Sequence, residues 1–185
     1  MADDGVIDLA SRQRARLEAE LARQRASNEA LIALAKANLA AQAQTHGAVL
    51  SILEAETAPA LDRKLAGPVA GALGVDVVRV FIEGCALLPS GQAIQACAPE
   101  FADALLGGAA ERLGPVDTRY ADALYAGKAA ALRSEAVARL DIAGAPGALC
   151  LASRDRDAFG PDQAGDLLHF LARVLERRLA PWLTD

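Results

Sequence analysis

An α+β fold, with a long N-terminal helix leading into a small domain of strands and helices, is predicted by three observations. From Ser11 to Glu56 the chain has no proline and one glycine, Gly47, and it is dense in Ala, Leu, Gln, Arg and Glu, all strong helix formers except for a few interspersed polar residues. Beyond Pro59 the apolar pattern changes to short runs, alternating with period two at Val75–Ile82 and Ser134–Ile142 and nearly all-apolar at Ala148–Ser153. The chain then closes on Leu168, Leu171, Leu175, Leu179 and Trp182, a stripe at helical spacing. Residues 1–57 are therefore expected to form the long helix, and residues 58–185 the domain.

The first helix spans the longest stretch without a proline. Asp8 and Ser11 are both candidate N-caps, because their side-chain oxygens can accept from free backbone N–H groups. A helix over 11–57 would be roughly 70 Å long at 1.5 Å per residue, longer than the following domain is wide, so part of it must find burial elsewhere. Alternating steps of four and three place Leu17, Leu21, Gln24, Asn28, Leu31, Ala35, Asn38, Gln42, Thr45, Val49 and Ile52 on one seam. The ends of this seam are apolar and its middle is polar or small. Leu17, Leu21, Asn28 and Leu31 are the candidate contacts of a dimerising coiled coil, with Asn28 of the type that fixes two-strand register. A plainer reading keeps 11–30 loose while 31–53 pack on the domain. Basic side chains (Arg12, Arg14, Arg16, Arg23, Arg25, Lys36) and acidic ones (Asp8, Glu18, Glu20, Glu29, Glu54, Glu56) balance along this stretch, which reads as a solvated face.

Pro59 disfavours helical geometry at Ala58 and suits the first turn of a second helix. Leu61, Leu65, Val69 and Leu73 recur at helical spacing, with Gly67-Pro68 expected to kink or split the element and Gly74 to close it. Glu83-Gly84 should turn the chain after the first strand, Ala86-Leu87-Leu88 could return as a short strand, and Gln92–Cys97 alternates weakly as another. Pro99 begins a helix running to Leu106, stopped by Gly107-Gly108. Within 109–130 only a short strand at Val116–Arg119 and a helical turn around Asp122–Tyr125 are indicated. Ser134–Ile142 and Ala148–Ser153 should pair across a turn at Ala143–Gly147. Phe159 is the large side chain expected to plug inward from the next loop. Pro161 and Asp162 open the last helix, where Arg177 and Arg178 sit near the negative dipole end.

Composition excludes several functions. At 53% apolar and 23% charged the chain is globular rather than disordered, and its net charge of −5 disfavours a nucleic-acid partner. The acidic Met-Ala-Asp-Asp-Gly start lacks the regions of a signal peptide, and no apolar run approaches the roughly 18–20 residues of a membrane span. Cys85, Cys97 and Cys150 are odd in number and irregularly spaced, which reads as reduced thiols in a cytoplasmic protein.

Catalytic and metal motifs fail on specific parts. There is no Cys-x-x-Cys, and His46 and His169 sit alone on predicted helices. Cys150 lies inside an apolar strand, as a packed inert thiol would. Gly127-Lys128 has no glycine five residues earlier and is followed by Ala129, where a phosphate loop needs Ser or Thr. Asp155 and Asp157 flank Arg156 as turn residues. No enzyme activity, metal or cofactor is expected. One cluster suits a ligand: Arg119, Tyr120, Tyr125, Arg133 and Glu135 fall in or beside the least regular stretch. The favoured alternative is that Arg133 and Glu135 are strand-edge charges and that the tyrosines cap the core.

The segment "RSEAVARL" followed by "GALCLASRDRDAFGPDQAGDLLHFLARVLERRLAPWL" resembles the bacterial family of unknown function DUF484. A long helix containing "NEALIALAKANL" and a strand "DVVRVFI" fit the same pattern. The resemblance covers most of the chain, is strongest over 133–183 and is weak over 84–130. Family members often carry Gly-Ser where this chain has Ala152-Ser153, and Gly-Thr-Asp where it has Ala164-Gly165-Asp166; both departures keep a small-residue strand end and the helix-start aspartate. The family is similar to GAF domains, which implies an antiparallel sheet flanked by helices, one face packing the N- and C-terminal helices and the other able to hold a small ligand. It supplies no catalytic or ligand residues. The resulting expectation is a cytoplasmic homodimer that senses a small ligand and signals through its helix to a protein partner. The rival is a structural adaptor that recruits its partner through the helices and keeps only a vestigial pocket.

Overall fold

The computed structural model describes residues 4–85, 91–160 and 165–184. Helix α1 runs Asp4–Leu53, so Asp8 and Ser11 lie inside it rather than at its cap. It stops short of 57 because Thr57 serves the next helix. Thr57 is extended (φ −136°, ψ 157°), and its hydroxyl accepts from the Ala60 N–H at 3.3 Å, capping α2 (Ala58–Lys64).

The chain forms two compact units, residues 1–41 and 42–185. In the first, residues 10–40 of α1 are exposed throughout. In the second, Thr45, Ala48 and Ile52 of α1 are buried and Val49 is half-buried. The far end of the predicted seam is thus occupied by the domain's own core.

Gly67-Pro68 is accommodated by a π turn, Leu65–Val69, between α2 and α3 (Ala70–Leu73). Proline has no N–H to give and its ring crowds the carbonyl four residues back; the wider turn relieves both conflicts. Gly74 then ends α3 in the left-handed conformation (φ 67°).

Five strands follow: β1 (Val77–Glu83), β2 (Ile94–Cys97), β3 (Glu111–Pro115), β4 (Ser134–Ile142) and β5 (Ala145–Ser153). They form one sheet in the order β2-β1-β5-β4-β3. Four of them are antiparallel neighbours, as expected, but β2 joins β1 in parallel, so the sheet is mixed. The entry to β2 is pinned from α2, where the Asp62 carboxylate accepts the N–H groups of Gln92, Ala93 and Ile94 at 3.0, 2.8 and 2.7 Å. The expected strand at Ala86-Leu87-Leu88 and the helix start at Pro161-Asp162 lie outside the described residues.

The predicted strand at Val116–Arg119 is instead β3, five residues earlier. Its sequence, Glu-Arg-Leu-Gly-Pro, carries the two residues that argue most strongly against a strand. As an edge strand it pairs on one side only, and Pro115 sits at its last position, where a missing N–H is tolerated. The β4–β5 turn is also tighter than expected. Only Ala143 and Gly144 lie outside the ladder, both with positive φ (54° and 88°), as a two-residue primed turn requires. Pro146 is already in β5 opposite Asp141, one pair beyond the turn-flanking Ile142–Ala145 pair. That register places it at a non-hydrogen-bonded position.

The sheet has two covered faces. Val78, Val80, Ile82, Ala136, Ala138, Leu140, Leu149 and Leu151 pack with the end of α1, with α2 and with α6 (Gly165–Leu179). Leu168, Leu171, Leu175 and Leu179 of α6 are buried there as the stripe predicted, and Phe159 packs beside them. The opposite face carries Val77, Phe81, Val137, Ala148, Cys150 and Ala152. It is covered from α4 (Phe101–Leu106), α5 (Ala121–Tyr125) and the 3-10 turn Ala126–Ala131 with its following residue Leu132. Because β5 offers only Ala, Cys and Ala on this face, larger side chains from above, Leu105, Leu124, Tyr125 and Leu132, complete the packing. Arg178 of α6 donates to the Ala55 carbonyl just past α1 and stacks 4.8 Å from the ring of Trp182 in α7 (Pro181–Thr184). Among the described residues, no helix is long and apolar enough to cross a membrane.

Candidate functional site

The second sheet face holds one buried ionic network. Glu135 projects from β4 with none of its surface exposed, and a carboxylate in that position needs compensation from nearly every side. Its Oε1 accepts the Asp117 N–H at 2.8 Å and its Oε2 accepts the Tyr125 hydroxyl at 2.6 Å. Arg112 comes from the neighbouring strand: it pairs with Val137, one diagonal step from Glu135 on the same face. Its Nη2 stands 2.8 Å from Glu135 Oε1 as an ion pair at an angle outside hydrogen-bond geometry, and its Nε is buried without a partner among the described residues.

Burial and nearby charge shift the Tyr125 hydroxyl and the thiols of this half of the domain. Burial pushes the Tyr125 hydroxyl far above the ordinary phenol range, reinforced by Cys150 and Glu135 and opposed by Arg112. Burial likewise raises the Cys150 thiol well above its usual value, with Glu135 adding to the effect. Cys97 is pushed up to about 11 by burial and by Glu83. Both thiols are thus held in the unreactive form. Next to the network, Asp117 is held down to about 2, chiefly by hydrogen bonds from the Arg119 side chain and backbone.

The five sequence-derived ligand candidates are only partly brought together. Tyr125 and Glu135 meet directly. Arg119 is exposed and forks onto Asp117, with Nε at 3.0 Å and Nη2 at 2.6 Å. Tyr120 is half-buried and its hydroxyl donates to the Ala104 carbonyl at 2.9 Å. Arg133 is exposed and donates to the carbonyls of Ala130 and Leu132. Sequence reasoning missed Arg112 and Asp117. A correct β3 register would have placed Arg112 on the Glu135 face, but Gly114-Pro115 hid the strand.

The carboxylate accepts two hydrogen bonds and an ion pair, and the Tyr125 phenol is kept protonated. Its evident work is to fasten the 117–125 segment to the sheet. His46 and His169 are exposed, and among the described residues no group of three or more His, Cys, Asp or Glu could hold a metal ion.

The dimer candidates belong to the first unit. Leu17, Leu21 and Leu31 are 64%, 48% and 61% exposed, and Asn28 is exposed too. Ile32, Leu34 and Leu39 flank the seam and are equally open; their neighbouring helical positions were the signal that could have found them.

A helix-led α+β domain with a mixed five-stranded sheet and a closed polar network on one face is the class of protein these features define. Within it, the chain belongs to the family described as protein of unknown function, DUF484, whose model matches residues 1–184. No curated protein matches it.

Proposed function

We propose that this is a non-catalytic, cytoplasmic, GAF-like module that acts as a homodimer through α1 and recruits or signals to a protein partner by that helix. The observation that carries the reading is the row of large apolar side chains exposed along residues 17–39 of α1. A lone helix has no reason to keep so many leucines in water, and such patches mark interaction surfaces. The packing of the second sheet face by Phe81, Leu124, Tyr125 and Leu132 favours recruitment over ligand sensing.

Light scattering on the full chain and on a chain lacking residues 1–30 tests the proposal. A dimer that becomes a monomer on truncation is expected; a monomeric full chain overturns it.

Sensing of a small ligand is the second reading. It is favoured by Nε of Arg112 and Nε of Arg79, two buried guanidinium nitrogens without partners among the described residues, on strands of the same sheet. Native mass spectrometry of freshly purified protein discriminates the two. A reproducible bound small molecule supports sensing, and a bare mass removes it.

A further inference from the structure

We infer that the occupant of the exposed α1 stripe is a second copy of this chain lying parallel and in register over residues 17–39, with Asn28 facing the partner's Asn28. The inference rests on the homodimer proposed above and adds its geometry.

The four-three spacing assigns Leu17, Gln24 and Leu31 to d positions and Leu21, Asn28 and Ala35 to a positions. The flanking positions follow: Glu20 and Leu34 are g, while Glu18, Arg25, Ile32 and Leu39 are e. In a parallel pair each g residue meets the e residue five positions later on the other chain. Glu20 then meets the partner's Arg25, and Leu34 meets the partner's Leu39, each twice by symmetry. Charge faces opposite charge and leucine faces leucine. The a layer places Asn28 against its own copy, where one amide donates to the other's carbonyl.

Antiparallel pairing mates these residues badly. It sets a against d and pairs e with e and g with g. Packing Asn28 on the partner's Gln24 puts Arg25 opposite the partner's Arg25 and Glu20 opposite the partner's Leu34. Packing Asn28 on the partner's Leu31 instead buries its amide against a leucine and sets Arg25 beside the partner's Ile32. Both registers oppose like charges or strand a charge on an apolar side chain. The contacts within one chain are compatible with the parallel pair. Glu20 approaches Arg23 only at 3.7 Å, with both side chains more than half exposed, and Leu34 and Leu39 are 59% and 66% exposed.

Disulfide trapping in the full chain tests the geometry. Cys85→Ser and Cys97→Ser remove the half-buried thiols, while Cys150 is fully buried and stays. Leu21→Cys and Ala35→Cys are then introduced separately and oxidised gently. Parallel, in-register pairing brings each cysteine against its own copy, and both variants are expected to cross-link. In the two antiparallel registers just described the same pairs are separated by at least ten residues, or about 15 Å of helix, beyond the reach of a disulfide. A protein that light scattering finds dimeric but that cross-links at neither position overturns the inference and leaves the dimer standing. A monomer overturns both.

Charge reversal gives an independent readout. Glu20→Arg is expected to weaken dimerisation roughly 5- to 10-fold at low salt, with Arg25→Glu in the same chain restoring it. Loss without restoration contradicts the Glu20–Arg25 match and the parallel register with it.

Discussion

The Glu135 side chain is fully buried, and the Asp117 amide, the Tyr125 hydroxyl and Arg112 surround its carboxylate. Removing it strands a buried hydroxyl and a guanidinium at once. Glu135→Ala is therefore expected to cost about 3 kcal/mol in urea unfolding, and Tyr125→Phe only about 1 to 2 kcal/mol, since it deletes one of the carboxylate's two hydrogen bonds and leaves the Arg112 ion pair. Equal losses from the two would show that the network does not act through the carboxylate. Asp117 adds a pH dependence of definite sign. Its folded value, about 2, lies below the ordinary 3.8 because Arg119 binds the charged form. A depressed acid stabilises the fold above its unfolded value, and that contribution is lost as pH falls from near 4 through about 2. The Asp117 side-chain carboxyl signal in NMR should titrate with a midpoint near 2; a midpoint at the ordinary value would remove Arg119 as its anchor.

At the scale of elements, the β4–β5 hairpin carries opposite errors in its turn and in its strand. Ala143 occupies a left-handed conformation (φ 54°) that asparagine tolerates better than alanine. Ala143→Asn should raise the thermal midpoint, by about 0.5 to 1 kcal/mol in stability. Gly147→Ala should do the reverse. A Cβ there would lie 2.3 Å from the Phe81 carbonyl oxygen on β1, and backbone cannot swing aside as a side chain can. A loss of about 2 to 4 kcal/mol is expected, and an unchanged denaturation midpoint would refute the close approach. The hairpin also shows what sequence conveys. Its two strands, like α1 and α6, were legible because long apolar periodicities outlast any single disruptive residue. The exact turn was not, since Pro146 reads as a turn residue until the pairing register shows its N–H is unneeded. β3 failed for a related reason, its Gly114-Pro115 being tolerable only at an edge. Of the polar network, Tyr125 and Glu135 were visible as aromatic and charged residues in or beside the least regular stretch. Arg112 and the Asp117 amide were not, because what brings them to Glu135 is the register of β3 on β4 and not proximity in sequence.

For the whole molecule, burial begins at Thr45: from residue 10 onward it is the first buried side chain. Residues 42–185 should consequently fold without the first 41, with a urea midpoint that does not vary with protein concentration. The full chain's midpoint should rise with concentration, because only the folded state carries a pairing surface in register. Identical concentration behaviour in the two chains would show that the exposed leucines do not associate. The contact joining Arg178, the Ala55 carbonyl and Trp182 has a practical consequence for all of these measurements. Trp182 is the single tryptophan, and its indole lies under a cation that also grips the chain just past α1. The protein therefore contains one indole, which can be excited apart from its two tyrosines and is placed where the end of its first helix meets its last two. The colour and polarisation of that emission give a label-free gauge of whether this joint is closed.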